Sequence, residues 1–132
     1  MLNMSDKKKP LIYSCTGCSN LAIMAYDIAL NIDSDGMAEM SCLSGVVGNV
    51  EPMKQLAHSG RPIFVIDGCD LGCSKACVES CGLPIEMYFN LSSYGFDKRS
   101  KWDDSLIENS KAMKNIYTDL FDAGYSLGEK QV

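Results

Sequence analysis

The sequence predicts an α/β protein: a small three-layer, doubly wound sheet of about four mostly parallel strands. Three observations carry this. Short apolar runs alternate with longer stretches of helical pattern from Pro10 to Asp122, and that alternation is the signature of α/β folds. The run Pro62–Ile66 (PIFVI) is apolar almost throughout, as strands covered on both faces are. The connections are long enough for right-handed crossovers, which make neighbouring strands parallel.

The elements follow in order. Pro10–Ser14 (PLIYS) reads as the first strand; proline is tolerated at a strand start, where its missing N–H falls at the edge of the ladder. The loop CTGCSN leads into a helix over Asn20–Asn31, capped by Ser19 or Asn20. That helix is apolar nearly all round, broken by Asp27, as suits packing against a sheet. Asp33–Gly36 is turn chemistry. Met37–Cys42 is the expected second strand and Leu43–Asn49 a glycine-containing loop. A helix over Val50–His58 takes Asn49 as its cap, with Pro52 in its first turn. Pro62–Ile66 is the third strand. Asp70–Cys81 is a helix closed by Gly82 at C′. Pro84–Leu91 is the fourth strand. Asp103–Asp122 is an amphipathic helix with Leu106, Met113, Ile116, Leu120 and Phe121 on one side. The expected strand order is 2-1-3-4, the flavodoxin-like variant of the Rossmann kind of fold. Residues 1–9 read as an N-terminal tail, 10–123 as a single domain and 124–132 as a C-terminal tail.

Composition sets the class. A chain of 132 residues is long enough to bury about two-thirds of its unfolded surface, so its core needs no disulfides. The net charge is −5, the only arginines are Arg61 and Arg99, and no basic patch suggests nucleic acid. The cationic run Lys7–Lys9 reads as a solvated stretch of tail. Met1–Lys9 has no apolar core of a secretory signal. No run approaches the ~20 apolar residues of a membrane span. A cytoplasmic location is expected, where thiols stay reduced. Seven cysteines, an odd number, then point to metal binding or thiol chemistry.

Ligand sites in doubly wound folds lie beyond the carboxyl ends of the strands. Cys15 is the first residue after strand one, Cys42 ends strand two, and Cys69 follows strand three. Cys18 and Cys73 fall at helix N-termini, where the helix dipole favours a thiolate. Gly17 and Gly68 are expected to let the backbone come close to a bound group or to adopt a positive φ. Sulfurs sharing one zinc lie about 3.8 Å apart, from Zn–S bonds of about 2.3 Å, and adjacent strands are about 4.8 Å apart. The metal ligands expected are therefore Cys15, Cys42, Cys69 and Cys73, with Cys18 beside them. Cys77 and Cys81 lie about 6 and 12 Å further along the helix by its rise per residue, and are expected to point away from the site as packing residues.

These residues resemble the DGC domain family, named for the triplet Asp67–Gly68–Cys69. The matching blocks are Cys15-Thr-Gly-Cys-Ser-Asn after a strand, Cys42–Leu43 before a glycine-containing loop, and Asp67 through Lys75 in the pattern D-G-C-x-x-x-C-x-K. They span about residues 11–90. The resemblance implies a zinc site on Cys15, Cys42, Cys69 and Cys73. It places Cys18, Cys77 and Cys81 where relatives carry small residues, and it brings no reaction with it.

Two alternatives remain open from the residues: a thiol–disulfide redox protein using Cys15 and Cys18, and an iron–sulfur protein, since thiolates suit a cluster as well as zinc. The residues speak against a phosphatase-like or arsenate-reducing enzyme. It needs an arginine six residues after its cysteine, and Leu21, Gly48 and Lys75 stand at those positions here. No catalytic residue is assigned, and an enzyme is not expected. His58 is expected to serve a helix end, Asp67 a turn. Lys75 is expected to offset thiolate charge or solvate its helix. Tyr94, Phe96 and Trp102 are expected to pack the last crossover or cover the site.

Overall fold

The structure is a computed structural model and describes residues 8–129; the expectations for residues 1–7 and 130–132 lie outside it. Four parallel strands form one sheet in the order β2-β1-β3-β4, as expected. They are β1 (Leu11–Ser14), β2 (Glu39–Met40), β3 (Ile63–Asp67) and β4 (Met87–Asn90). The helices are α1 (Asn20–Ser34), α2 (Leu43–Val47), α3 (Glu51–Ala57), α4 (Cys73–Ser80) and α5 (Leu106–Asp122). A 3-10 turn at Leu91–Tyr94 follows β4. Among the described residues no helix is long and apolar enough to cross a membrane.

The pleat of β1 and β3 divides the core into two layers. Ile12, Phe64 and Ile66 join Met24, Ile28, Ile32, Ile116 and Leu120 on the face that carries α1 and α5. Leu11, Tyr13, Ile63 and Val65 meet Val46, Ala57 and Val78 on the face that carries α2, α3 and α4. Every residue of β3 is buried, because successive side chains serve opposite layers. Truncating Phe64 to alanine would cost about 3–5 kcal/mol on this account.

Several elements differ from expectation. Leu43–Val47 is a short helix and not a loop. The cap of α3 is Val50, and Asn49 instead holds the left-handed conformation with φ 59°. The helix expected from Asp70 starts at Cys73, after a turn closed by Gly72 N–H to the Cys69 carbonyl at 3.2 Å. Gly82 takes the expected C′ place with φ 73°. On α5 the buried stripe is Asn109, Ala112, Ile116 and Leu120, while Leu106 and Phe121 face solvent. Beyond Gly124 the chain is tied down at two points: Tyr125 is buried edge-on against Phe64 with ring centroids 4.9 Å apart, while residues 126–129 are exposed. Gly128 N–H donates to the Asp35 carbonyl at 3.0 Å.

Candidate metal centre

The DGC triplet divides three tasks among three residues. The carboxylate of Asp67, at the end of β3, is buried. It accepts the backbone N–H groups of Ser74 at 2.8 Å and Lys75 at 3.0 Å. Gly72 precedes α4 with φ 63° and has no side chain to cap it. Asp67 therefore supplies from the strand the acceptor that an N-cap residue gives locally. The Tyr88 hydroxyl donates to the same carboxylate at 2.9 Å. Gly68 lies so close to the start of α1 that a Cβ there would stand 2.5 Å from the Leu21 carbonyl carbon. Only glycine admits that approach. Cys69 is then delivered beside the α1 N-terminus, its carbonyl held by Asn90 Nδ2 at 2.8 Å.

The result is a cavity of about 630 Å³ beyond the carboxyl ends of β1 and β3. Cys15, Cys18, Cys69, Cys73 and Cys77 all line it. Four of the five expected ligands are thus brought to one wall. Cys42 is placed differently. It is the exposed N-cap of α2, next to the wall residues Leu43 and Ser44. The Ser44 hydroxyl lies 3.2 Å from its sulfur. That hydroxyl, followed by the backbone N–H groups of Gly45 and Ser44, holds the Cys42 thiol below its ordinary pKa.

Cys77 corrects the sequence reading, since it lines the cavity instead of pointing away. Residues four apart share a helix face, so Cys77 follows Cys73 along the same wall. Cys81 does pack, against the layer of Val78 and Leu83. Gly17 is neither crowded nor left-handed, its Cβ position lying 3.6 Å from Ala22 Cβ. Asp67 is a helix cap more than a turn residue. Lys75 lies over the Tyr88 ring at 5.1 Å and not on the cavity wall. His58 ends α3 through its backbone N–H to the Lys54 carbonyl. Tyr94 and Phe96 pack on the core, and Trp102 is exposed; none lines the cavity.

The wall also contains Lys98 and Arg99, which sequence reasoning missed. Buried Asn20 places them. Its Nδ2 donates to the Asp97 carbonyl at 3.0 Å and its Oδ1 accepts the Arg99 N–H. Ser19 and Ser100 form an antiparallel bridge beside it. The loop after β4 is thereby laid across the start of α1. Arg99 pairs with Asp103 and Glu108, and its guanidinium holds the Glu108 carboxyl below the usual range.

Free thiols ringing one cavity suit a thiophilic ion in donor chemistry. Their placement is open: among the described residues no three His, Cys, Asp or Glu side chains stand together closely enough to hold a metal.

The fold and this cavity define a cysteine-rich α/β domain with its thiols gathered at the sheet's carboxyl edge. The family model described as the DGC domain matches residues 11–116, and the chain belongs to that family. It is similar to the anaerobic and virulence modulator AnvM of Pseudomonas aeruginosa, 45% identical over 94 residues that cover 71% of this chain and 72% of that protein. No solved structure matches the chain. A cysteine-rich chain of the DGC family fits a metal-binding protein whose role is unassigned.

Proposed function

We propose that the chain binds zinc through cysteine thiolates at the carboxyl edge of the sheet, as a carrier, sensor or structural holder of the ion. The observation that supports this most is that Cys15, Cys69 and Cys73, from three separate segments, line one cavity. Cys18 and Cys77 line it too, so the wall offers more thiols than the four of a closed structural site. A surplus of donors lets an ion change partners, which favours carriage or sensing over a purely structural role. Cys15, Cys69 and Cys73 are the residues that would hold the ion, with Asp67 fixing the α4 turn that carries Cys73 and with Cys42 beside the wall residues Leu43 and Ser44.

The test is metal content and affinity of protein purified anaerobically. One zinc per chain, released by thiol alkylation and weakened at least about tenfold (about 1.4 kcal/mol) in Cys69→Ala, is the expected result. A visible absorption band with iron would replace zinc by a cluster. No bound metal, together with insulin reduction dependent on Cys15 and Cys18, would replace the reading by thiol–disulfide chemistry.

A further inference from the structure

The cavity is polarised across the sheet. Leu43 and Val47 reach its wall from α2, and Leu71 from the turn before α4. Its apolar part thus comes from elements on the face that carries α2, α3 and α4. Val47 and Leu71 are exposed, so this side of the wall is apolar surface open to solvent. The other side is cationic. Lys98 and Arg99 arrive on the loop laid across the start of α1. The protein carries 17 acidic and 12 basic residues, yet among the described residues no carboxylate lines the cavity. Arg99 is engaged by Asp103 and Glu108. Lys98 is exposed and has no ion pair among the described residues. Ser19, the N-cap of α1, lines the cavity too, and the first turn of α1 has no acidic residue to offset the positive end of the helix. The volume of about 630 Å³ is in the range of pockets that hold small organic molecules, about 300–1,000 Å³.

One unpaired positive charge across from an apolar wall selects a ligand of matching build. We infer that the cavity binds a small amphipathic monocarboxylate, its carboxylate toward Lys98 and its hydrocarbon part against Leu43, Val47 and Leu71. A single lysine matches a single negative charge. A phosphate ester carries more charge and is met by several donors or by a bidentate arginine, and Arg99 is already engaged. The hydrocarbon part supplies most of the affinity, since covering apolar surface contributes more than an ion pair open to solvent. Cys15 and Cys69, which follow β1 and β3, lie on the wall as well and meet the ligand as small apolar groups. No bond forms or breaks and no metal takes part, so the inference goes beyond the metal-binding reading and does not rest on it.

The experiment is equilibrium dialysis of radiolabelled hexanoate, its neutral near-isostere hexanamide, and acetate against the full chain as purified. Zinc is counted in the same samples. Hexanoate is expected to bind at least about fivefold tighter than hexanamide, about 1 kcal/mol and the upper end for a pair open to solvent. It is expected to bind at least about tenfold tighter than acetate, which lacks the hydrocarbon part. The preference over hexanamide should be lost in Lys98→Gln, restored in Lys98→Arg and kept in Lys114→Gln, a change at an exposed residue of α5. Leu71→Ser should reduce the preference over acetate and leave the preference over hexanamide in place. No binding of hexanoate, equal binding of hexanoate and hexanamide, or acetate binding as tightly as hexanoate overturns the inference. So does a preference untouched by Lys98→Gln, which would place the carboxylate on another group, a bound ion included. The zinc count decides the metal reading separately from all of these outcomes.

Discussion

The Asp67 carboxylate accepts the Ser74 backbone N–H at 2.8 Å across the turn between β3 and α4. One buried side chain of the sheet thus anchors the helix that carries Cys73 and Cys77. Asp67→Ala would leave the Ser74 and Lys75 N–H groups and the Tyr88 hydroxyl without their acceptor. Buried donors left unpaired cost about 1–3 kcal/mol each before relaxation. The expected loss is about 2–4 kcal/mol in urea denaturation, with a smaller loss for Asp67→Asn, which keeps one acceptor oxygen. A loss below about 0.5 kcal/mol, the usual scale of an inert surface change, would show that α4 does not depend on this cap.

Gly68→Ala tests the close approach of that turn to α1. The new Cβ meets backbone, the Leu21 carbonyl carbon at 2.5 Å, so the two segments must move apart. Overpacking of this kind costs about 1–3 kcal/mol. Thermal melts should register it, and Gly17→Ala should stay near wild type, because its Cβ position has ordinary contacts. Similar losses at the two glycines would contradict the assignment.

Cys77 and Cys81 part company in the structure. Cys77→Ala is expected to lower zinc affinity by about three- to tenfold, less than about 1.4 kcal/mol, and Cys81→Ala to leave it unchanged. Chelator competition on the two variants decides between them. Equal effects would return Cys77 to the role of a packing residue.

Cys42 should react as a thiolate below the ordinary cysteine pKa of about 8.5. Its alkylation by iodoacetamide, followed by peptide mapping against pH, should have its midpoint below that value. Ser44→Ala removes the largest cause of the lowering and should move the midpoint upward. An unmoved midpoint would mean that the hydroxyl at 3.2 Å does not stabilise the thiolate.

The phenol of Tyr88 is pushed up to about 12, chiefly by burial, with the Asn90 hydrogen bond opposing the rise and the neighbouring Asp67 adding to it. Its folded-state pKa is raised, so its contribution to stability is complete below the unfolded value of about 10. That contribution is lost as pH rises from there to about 12. Urea midpoints of Tyr88→Phe should decline less steeply than wild type over that window. Parallel declines would remove Tyr88 from the alkaline transition.

Much of this was legible in the residues. The apolar runs at Leu11 and Ile63 and the alternation around them lead to a parallel sheet; the order β2-β1-β3-β4 is the commonest arrangement for such a chain and is not dictated by these residues. The gathering of Cys15, Cys69 and Cys73 follows from that order alone. The short helix at Leu43–Val47 was not legible. Its sequence LSGVV has glycine and two β-branched residues, poor helix formers, and packing of buried Val46 holds it instead. The place of Cys77 on the wall was not legible from its rise along the helix axis alone. Its four-residue spacing from Cys73 keeps it on the same face, and about 6 Å of rise is short beside the cavity. Lys98 and Arg99 follow no periodicity. The hydrogen bonds of Asn20 reach across 77 and 79 positions to the loop that holds them, and no local pattern marks such a link.

The described ends of the chain both lie at the other pole of the molecule, by the amino ends of the strands. The Lys9 carbonyl is held by Arg61 Nε at 2.7 Å, just before β3 begins, and Gly128 lies against Asp35, just before β2. The five residues of β3 separate that pole from the thiols by about 16 Å at ~3.3 Å per residue. A fluorescent label or a surface tether fixed at Lys8, the first described residue, is therefore held at that pole and not at the mouth of the cavity.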